Sequence, residues 1–254
     1  MRQLTLLLGS CCLLFTACES ADSPANKTPK PSNLEISLQT LEKSVGDCET
    51  EETACAAVAL EYPVVHSSDH PELAQQINEA IRENILRIIA AVNPMDSVPV
   101  SLEAGTELFL ADYQRFVSDV PTYKIPWTIE TESQVLLNAE QLLSLDVSSF
   151  SYTGGAHPNS FTWLYNVQLP GGEPFLLESI ILDETAFLNK VENQFKQSRG
   201  LEGDADLGEM GFSFGDAPFA LPENYGFTPE GIYFYYNAYE VGPYVVGPTE
   251  FTVL

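Results

Sequence analysis

A Gly-Gly turn followed by His-Pro is the feature that most constrains this chain. Residues 152–159 read YTGGAHPN and stand between two strand-like runs. The adjacent Gly154 and Gly155 allow a positive φ at little steric cost. Pro158 fixes its own φ and keeps His157 out of helical geometry. The segment therefore predicts a rigid turn that presents an aromatic ring, an imidazole and a carboxamide close together.

Hydrophobic patterning elsewhere predicts a mixture of strands and about three helices. Alternation of apolar residues predicts strands at 56–65, 142–151, 161–169, 232–236 and 245–253. Helical spacing predicts helices near 69–92 and 102–120, and a third one that begins after a cap at Asp183. Because strands and helices come in blocks, we expect an α+β fold with antiparallel sheets, helices packed on them and a division into two small lobes.

The first seventeen residues are typical of a lipoprotein signal peptide. Arg2 precedes a short apolar run that ends in small residues. This run is shorter than the about 20 residues that a membrane-spanning helix needs. Residues 15–18, FTAC, resemble a bacterial lipobox, in which Cys18 would become the lipidated first residue. Phe15 stands where Leu is usual, and an ordinary cleaved signal is the alternative.

The remaining chain divides into a tether and two folded parts. Residues 18–33 are polar and rich in Pro and Ser, which predicts a disordered tether. We expect an N-terminal α+β lobe at 34–140 and a C-terminal α+β domain at 141–254. With the anchor, this organisation predicts a lipoprotein of the bacterial cell envelope that is held on a membrane and faces the periplasm or the exterior.

The charge balance excludes some partners and favours others. The chain has 11 Lys and Arg against 36 Asp and Glu, a formal net charge of −25. Nucleic-acid binding needs basic residues that neutralise phosphates, so we expect no nucleic-acid partner. An acidic surface attracts cationic proteins and accelerates their encounter. Solubility alone also explains an acidic exported protein, so the charge narrows the partner class without naming a partner.

Two cysteines remain once the signal and the anchor are set aside. Cys48 and Cys55 form an even pair in a chain predicted to be exported, which predicts a disulfide. A metal site is the alternative, but the nearest histidines, His66 and His70, lie beyond the next predicted strand. These two histidines lack the glutamate of the metalloprotease pattern, so we expect them at the surface or in a cap. We expect no metal and no cofactor.

Nucleophilic catalysis finds no support in the sequence. The chain has no Gly-x-Ser-x-Gly and no Ser-x-x-Lys motif. The C-terminal part is rich in aromatic residues. Its Gly-Pro loop at 239–244 contains tyrosines, a residue type that binding surfaces favour. Aromatic packing beneath that loop is the alternative for each tyrosine. Enzymatic activity stays open, while a binding role is favoured.

Two segments carry a resemblance to known families. The turn at 152–159 and residues 237–248, NAYEVGPYVVGP, resemble the domain of unknown function 3298. The segment with Cys48, Cys55 and the strand-like VALEYP at 58–63 looks like the domain of unknown function 4163 that often precedes it. Relatives include the extracytoplasmic part of the anti-sigma factor RsiV, which binds lysozyme, and the N-terminal region of the peptidoglycan deacetylase PdaC.

The resemblance implies an envelope binding module. The printed sequence shows neither a spanning helix with a sigma-binding segment nor a deacetylase domain after Leu254, so we expect neither RsiV-type signalling nor the PdaC reaction. We expect a non-enzymatic module that binds a lysozyme-like cationic protein or a peptidoglycan fragment. A hydrolase or deacetylase with His157 as acid or base is the alternative, and a structural scaffold of an envelope complex is a third. The candidate ligand-binding residues are Tyr152, Gly154, Gly155, His157, Asn159, Tyr239, Glu240 and Tyr244.

Overall fold

The computed structural model describes residues 30, 32–48, 50, 54–92 and 99–254. The predicted signal peptide, the anchor Cys18 and nearly all of the predicted tether lie outside these residues. The described chain contains eight strands and three α-helices: β1 Glu35–Val45, β2 Ala56–His66, α1 Pro71–Val92, α2 Leu102–Asp119, β3 Trp127–Ala139, β4 Leu142–Tyr152, β5 Asn159–Gln168, α3 Glu184–Ser198, β6 Tyr225–Thr228, β7 Gly231–Tyr236 and β8 Thr249–Val253.

The strands form two sheets, which confirms the predicted α+β class. The first sheet has the order β1-β2-β3-β4-β5, and the second has the order β6-β7-β8. All neighbours are antiparallel except β2 and β3, which run parallel with Ala56 opposite Trp127. This one parallel pair departs from the predicted antiparallel sheets. Both α1 and α2 lie between β2 and β3 in the chain, and a long crossover of this kind permits parallel pairing.

Each sheet buries its own hydrophobic core. Helices α1 and α2 cover one face of the first sheet, where Ile77, Ile81 and Ile85 of α1 are at most 1% exposed. Helix α3 packs on the second sheet, and its Phe195 contacts the rings of Tyr236 and Phe251. Asp183 caps α3 as predicted, because its carboxylate accepts the backbone N–H of Ala186.

A buried polar network joins the two sheets. The Ser144 hydroxyl donates to the Asn166 amide oxygen at 2.7 Å and accepts the backbone N–H of Phe227 at 2.9 Å. The Asn166 amide nitrogen donates to the carbonyl of Tyr225 at 2.6 Å. Strands β4 and β5 are therefore tied to β6 by side chains that also satisfy the backbone of β6.

The remaining predictions about the chain have mixed outcomes. The predicted Cys48–Cys55 disulfide is confirmed, and it closes the β1–β2 connection. Strand β1 was not predicted, and the last strand begins at Thr249 because 244–246 form a 3-10 turn. The predicted domain boundary after residue 140 falls in the turn between β3 and β4, which pair within one sheet; the boundary itself stays a prediction. No helix in the described part of the chain is long and apolar enough to cross a membrane.

Candidate functional site

Two loops that are distant in the sequence come together beside the start of β5. One is the turn between β4 and β5, and the other is the connection between β7 and β8. Their contact is made by three side chains, His157, Tyr239 and Tyr244, which we call the aromatic cluster. The cluster unites both of the motifs on which the sequence prediction rested.

The β4–β5 turn depends on Gly154. This residue has φ +86°, and a Cβ there would lie 1.9 Å from the hydroxyl oxygen of Tyr123. Tyr123 donates that hydroxyl to the carbonyl of Thr153 at 3.3 Å and accepts the indole N–H of Trp127 at 3.1 Å. Gly155 lacks a positive φ, and the nearest atom to a Cβ there is 3.8 Å away. Only the first of the two glycines is therefore required by the backbone.

The β7–β8 connection is held by Asn237 and Glu240. The Glu240 carboxylate accepts the backbone N–H of Asn237 at 2.8 Å. Tyr239, between them, has φ +72°, which is uncommon for a residue other than glycine. Burial raises the pKa of the Glu240 carboxyl, the Asn237 N–H lowers it and nearby Glu223 raises it. The loop thus places Tyr239 in an unusual backbone conformation that directs its ring to the turn.

The cluster satisfies its own polar atoms. His157 stacks on Tyr244 with ring centroids 3.8 Å apart and planes inclined by 18°. Its Nδ1 lies 2.9 Å from the carbonyl oxygen of Pro158, and its Nε2 lies 2.9 Å from the Tyr239 hydroxyl. Because a carbonyl can only accept, Nδ1 carries a proton, and in the neutral imidazole Nε2 accepts from the Tyr239 hydroxyl. The Tyr244 hydroxyl donates to the same Pro158 carbonyl at 3.1 Å.

This geometry suits recognition more than proton transfer. Both nitrogens of His157 have partners within the chain, so neither is free for a substrate unless the tyrosine moves. Tyr239 is 60% exposed and Val245, in the same loop, is 90% exposed. The loops therefore present an aromatic and aliphatic surface whose aromatic side chains are already held in place.

Side-chain amides of Asn237, in the second loop, and of Asn224, just before β6, bind the open edge of β5. The Asn237 amide oxygen accepts the backbone N–H of Thr162 at 2.8 Å, and the Asn224 amide oxygen accepts that of Leu164 at 2.7 Å. The Asn224 amide nitrogen donates to the carbonyl of Thr162 at 2.9 Å. These contacts occupy an edge that would otherwise offer free backbone groups for pairing.

The other candidate residues lie at the margins of the cluster. Tyr152 donates its hydroxyl to the carbonyl of Gly155 at 3.1 Å and so braces the turn internally. Glu240 is bonded to Asn237, and Asn159 lies where β5 begins, on the wall of a separate groove beside α1. The structure thus brings His157, Tyr239 and Tyr244 together and leaves Asn159 apart.

Sequence reasoning missed the residues that position the cluster. Asn237 was quoted only as the first residue of a motif, and Asn224 and Tyr123 were not singled out. The signal for Asn237 was its position, because it is a polar residue that directly follows the predicted strand that became β7. Among the residues described, no three His, Cys, Asp or Glu side chains are grouped so that they could hold a metal ion.

Two family models match the chain, and they confirm the predicted resemblance. Residues 49–160 match the model described as deacetylase PdaC. Residues 180–253 match the model described as a protein of unknown function, DUF3298. The turn at 152–159 lies inside the first match, and the 237–248 motif lies inside the second. No curated protein matches the chain.

Solved structures show the same fold. A DUF3298 family member from Bacteroides fragilis is similar with a TM-score of 0.62 and 21% identity, over 88% of this chain and 91% of that one. A DUF3298 family protein from Pseudomonas aeruginosa has a TM-score of 0.56 and 19% identity, over 86% of this chain and 90% of that one. The chain therefore contains one region that matches the PdaC model and one that matches the DUF3298 model, and its fold is similar to that of the two solved DUF3298 structures.

Proposed function

We propose that this protein is a lipid-anchored, non-enzymatic binding module of the bacterial cell envelope that recognises a lysozyme-like cationic protein. Its family matches indicate a cell-envelope-related domain. The aromatic cluster is the recognition surface, and a peptidoglycan fragment is the second ligand that this surface would suit. The anchor at Cys18 rests on the sequence alone.

The observation that carries the proposal is the internal bonding of the cluster. His157 is stacked on Tyr244 and bonded at both ring nitrogens, while Tyr239 remains 60% exposed beside it. A surface that is ordered before binding loses little conformational entropy when a partner docks. Tyrosine adds contact area and a hydroxyl at low entropic cost. These properties support binding over catalysis by His157.

Charge supports a cationic protein as the partner. The chain carries a formal net charge of −25, and Glu240 lies next to Tyr239 in the loop. Glu223 is near enough to Glu240 to raise the pKa of its carboxyl, so a second acidic side chain lies close to the first. A negative surface of this kind speeds the encounter with a positively charged partner and weakens at high salt.

Binding of cationic lysozyme to the immobilised chain tests the proposal. We expect retention at about 0.02 M salt that falls strongly at about 0.5 M, because screening shortens the range of charge attraction. Acetylated lysozyme, which keeps its fold and loses lysine charge, is the control ligand and should bind weakly.

Two variants distinguish binding at the aromatic cluster from non-specific adsorption. Tyr239→Ala should weaken binding about tenfold, in the range of a buried aromatic anchor. Phe161→Ala removes another exposed aromatic, from β5, and should leave binding unchanged. Absence of wild-type retention at low salt would overturn the protein-ligand proposal. Turnover of purified peptidoglycan that disappears in His157→Ala would instead establish the hydrolase or deacetylase alternative.

A further inference from the structure

A groove of about 500 Å³ lies between the C-terminal half of α1 and the adjoining ends of β4 and β5. Its walls include Asn84 and Ile88 from the helix, Ser149 and Ser151 from β4, and Phe161 and Trp163 from β5. A concave, mostly apolar site with a few polar groups is the usual form of a small-molecule site.

Aromatic rings form the β5 side of the groove. Phe161 and Trp163 are two residues apart in a strand, so they share one face of the sheet. Phe161 is 47% exposed, a large fraction for a phenylalanine. Trp163 is stacked on Tyr165, with ring centroids 4.7 Å apart, which holds its plane in place. The groove thus offers an ordered aromatic surface.

Asn84 brings to the groove wall a buried polar atom that has no hydrogen-bond partner among the described residues. Its side chain is on α1 and is only 9% exposed, and its amide oxygen has no hydrogen-bond partner among the described residues. A buried acceptor of this kind destabilises the free protein. A ligand that donates an O–H or N–H to this oxygen would remove the penalty.

Charge selects the class of ligand. Arg87 is the charged residue of the groove wall; its side chain is 76% exposed and lies 3.6 Å from Glu83. The arginine is therefore already paired, and the chain as a whole repels anions through its net charge of −25. Hydroxyl groups of Ser149 and Ser151 and the amide of Asn159 complete the polar lining. These groups suit a neutral ligand rich in hydroxyl or amide groups.

We propose that this groove binds a neutral glycan. The C–H face of a pyranose ring would pack on Phe161 and Trp163, and a hydroxyl or acetamido N–H would donate to the Asn84 oxygen. This site goes beyond the proposed function, because it lies on a different surface from the aromatic cluster and is lined by different residues. Either site can fail its test without affecting the other.

Tryptophan fluorescence provides the test. The chain has two tryptophans, so the Trp127→Phe variant leaves Trp163 as the single reporter. Titration with chitotetraose or cellotetraose should produce a saturable change in emission. Because the first sugar carries acetamido groups and the second does not, a stronger response to chitotetraose would assign the donor to the acetamido N–H, and equal responses would assign it to a hydroxyl.

Variants at the groove and at the aromatic cluster show which of the two surfaces binds the sugar. In the Trp127→Phe background, Asn84→Leu keeps the approximate side-chain volume but removes the acceptor, and it should raise the apparent Kd at least tenfold. Phe161→Ala, at an exposed position, should do the same without risk to folding. Tyr239→Ala should leave the titration unchanged. Absence of any emission change with both sugars, or an unchanged Kd in both groove variants, would overturn the proposal.

Discussion

The aromatic cluster and the groove both flank strand β5, but they differ in how their polar atoms are satisfied. In the cluster, both nitrogens of His157 and the hydroxyls of Tyr239 and Tyr244 have partners within the chain. In the groove, the buried amide oxygen of Asn84 has none among the described residues. The first region is complete without a ligand, and the second is not.

This difference connects each region to a type of recognition. A surface whose polar atoms are internally bonded is rigid, and it gains affinity from contact area and charge steering. A buried unpartnered acceptor is costly in the free protein and gains a bond only when a ligand supplies a donor. We therefore expect substitutions in the cluster to lower stability, and removal of the Asn84 amide to raise it.

The largest effect should come from Gly154→Val. The substitution places a side chain at φ +86° and brings its Cβ onto the Tyr123 hydroxyl, so we expect a loss of about 2–4 kcal/mol in the free energy of unfolding. Urea unfolding measures it. Gly155→Ala is the matched control one residue away and should cost less than about 0.5 kcal/mol. Similar losses at both glycines would show that the turn is not held as described.

A smaller loss should follow from Asn237→Ala. The substitution leaves the buried backbone N–H of Thr162 without its acceptor, which costs about 1–3 kcal/mol. Because the loop that carries Tyr239 begins at Asn237, retention of lysozyme should fall as well. Asn159→Ala, at an exposed position of β5, the strand that contains Thr162, is the control. If Asn237→Ala loses the expected stability but still retains lysozyme, the loop that Asn237 holds is not part of the recognition surface.

Asp146→Asn tests a polar group that has a partner and is nevertheless costly. Burial raises the pKa of Asp146, the Ser148 hydroxyl lowers it through a 2.8 Å hydrogen bond, and Glu250 raises it. The folded chain therefore holds this proton more tightly than the unfolded chain does. Its contribution favours folding at low pH and is lost as the pH rises through the raised value.

The asparagine variant should accordingly melt at a higher temperature than the wild type at pH 7. The difference should shrink as the pH falls through the raised pKa of Asp146 toward the ordinary pKa of an aspartate, below which the wild-type carboxyl is protonated in both states. Thermal unfolding of the two proteins between pH 3.5 and 7.5, roughly the window set by that ordinary pKa, measures it. A difference that does not change with pH would contradict the assigned cause.

Much of the fold follows from local pattern. Ile77, Ile81 and Ile85 recur at helical spacing, and all three are buried in α1. Strand β1 was missed because most of its residues are exposed and its alternation is weak. The parallel pairing of β2 with β3 depends on where two helices pack, which periodicity does not report. At the chain end, Gly247 with φ +69° interrupts an apolar run that otherwise reads as one strand.

The candidate site was predictable only in its parts. Both motifs were identified from the sequence, but the contact between His157 and Tyr239 joins residues that are 82 positions apart. Only the tertiary fold brings them together. Asn84 carried a readable signal, because it lies three residues after Ile81 and therefore interrupts the apolar stripe of α1 with a polar side chain.

The smallest expected changes in melting temperature test the comparison between the aromatic cluster and the groove most directly, because they have opposite signs. We expect Tyr239→Phe, which leaves Nε2 of His157 without a donor, to lower the melting temperature by about 1–2 °C. We expect Asn84→Leu to raise it by a similar or larger amount. Asn189→Leu, at an exposed position of α3, measures the gain from helix propensity alone.

Thermal unfolding of these variants side by side is therefore the direct test. A lower melting temperature for Tyr239→Phe, together with a rise in Asn84→Leu that exceeds that of Asn189→Leu, is the predicted result. A fall in both Tyr239→Phe and Asn84→Leu would contradict the account, because it would show that the Asn84 amide stabilises the free protein as the cluster does.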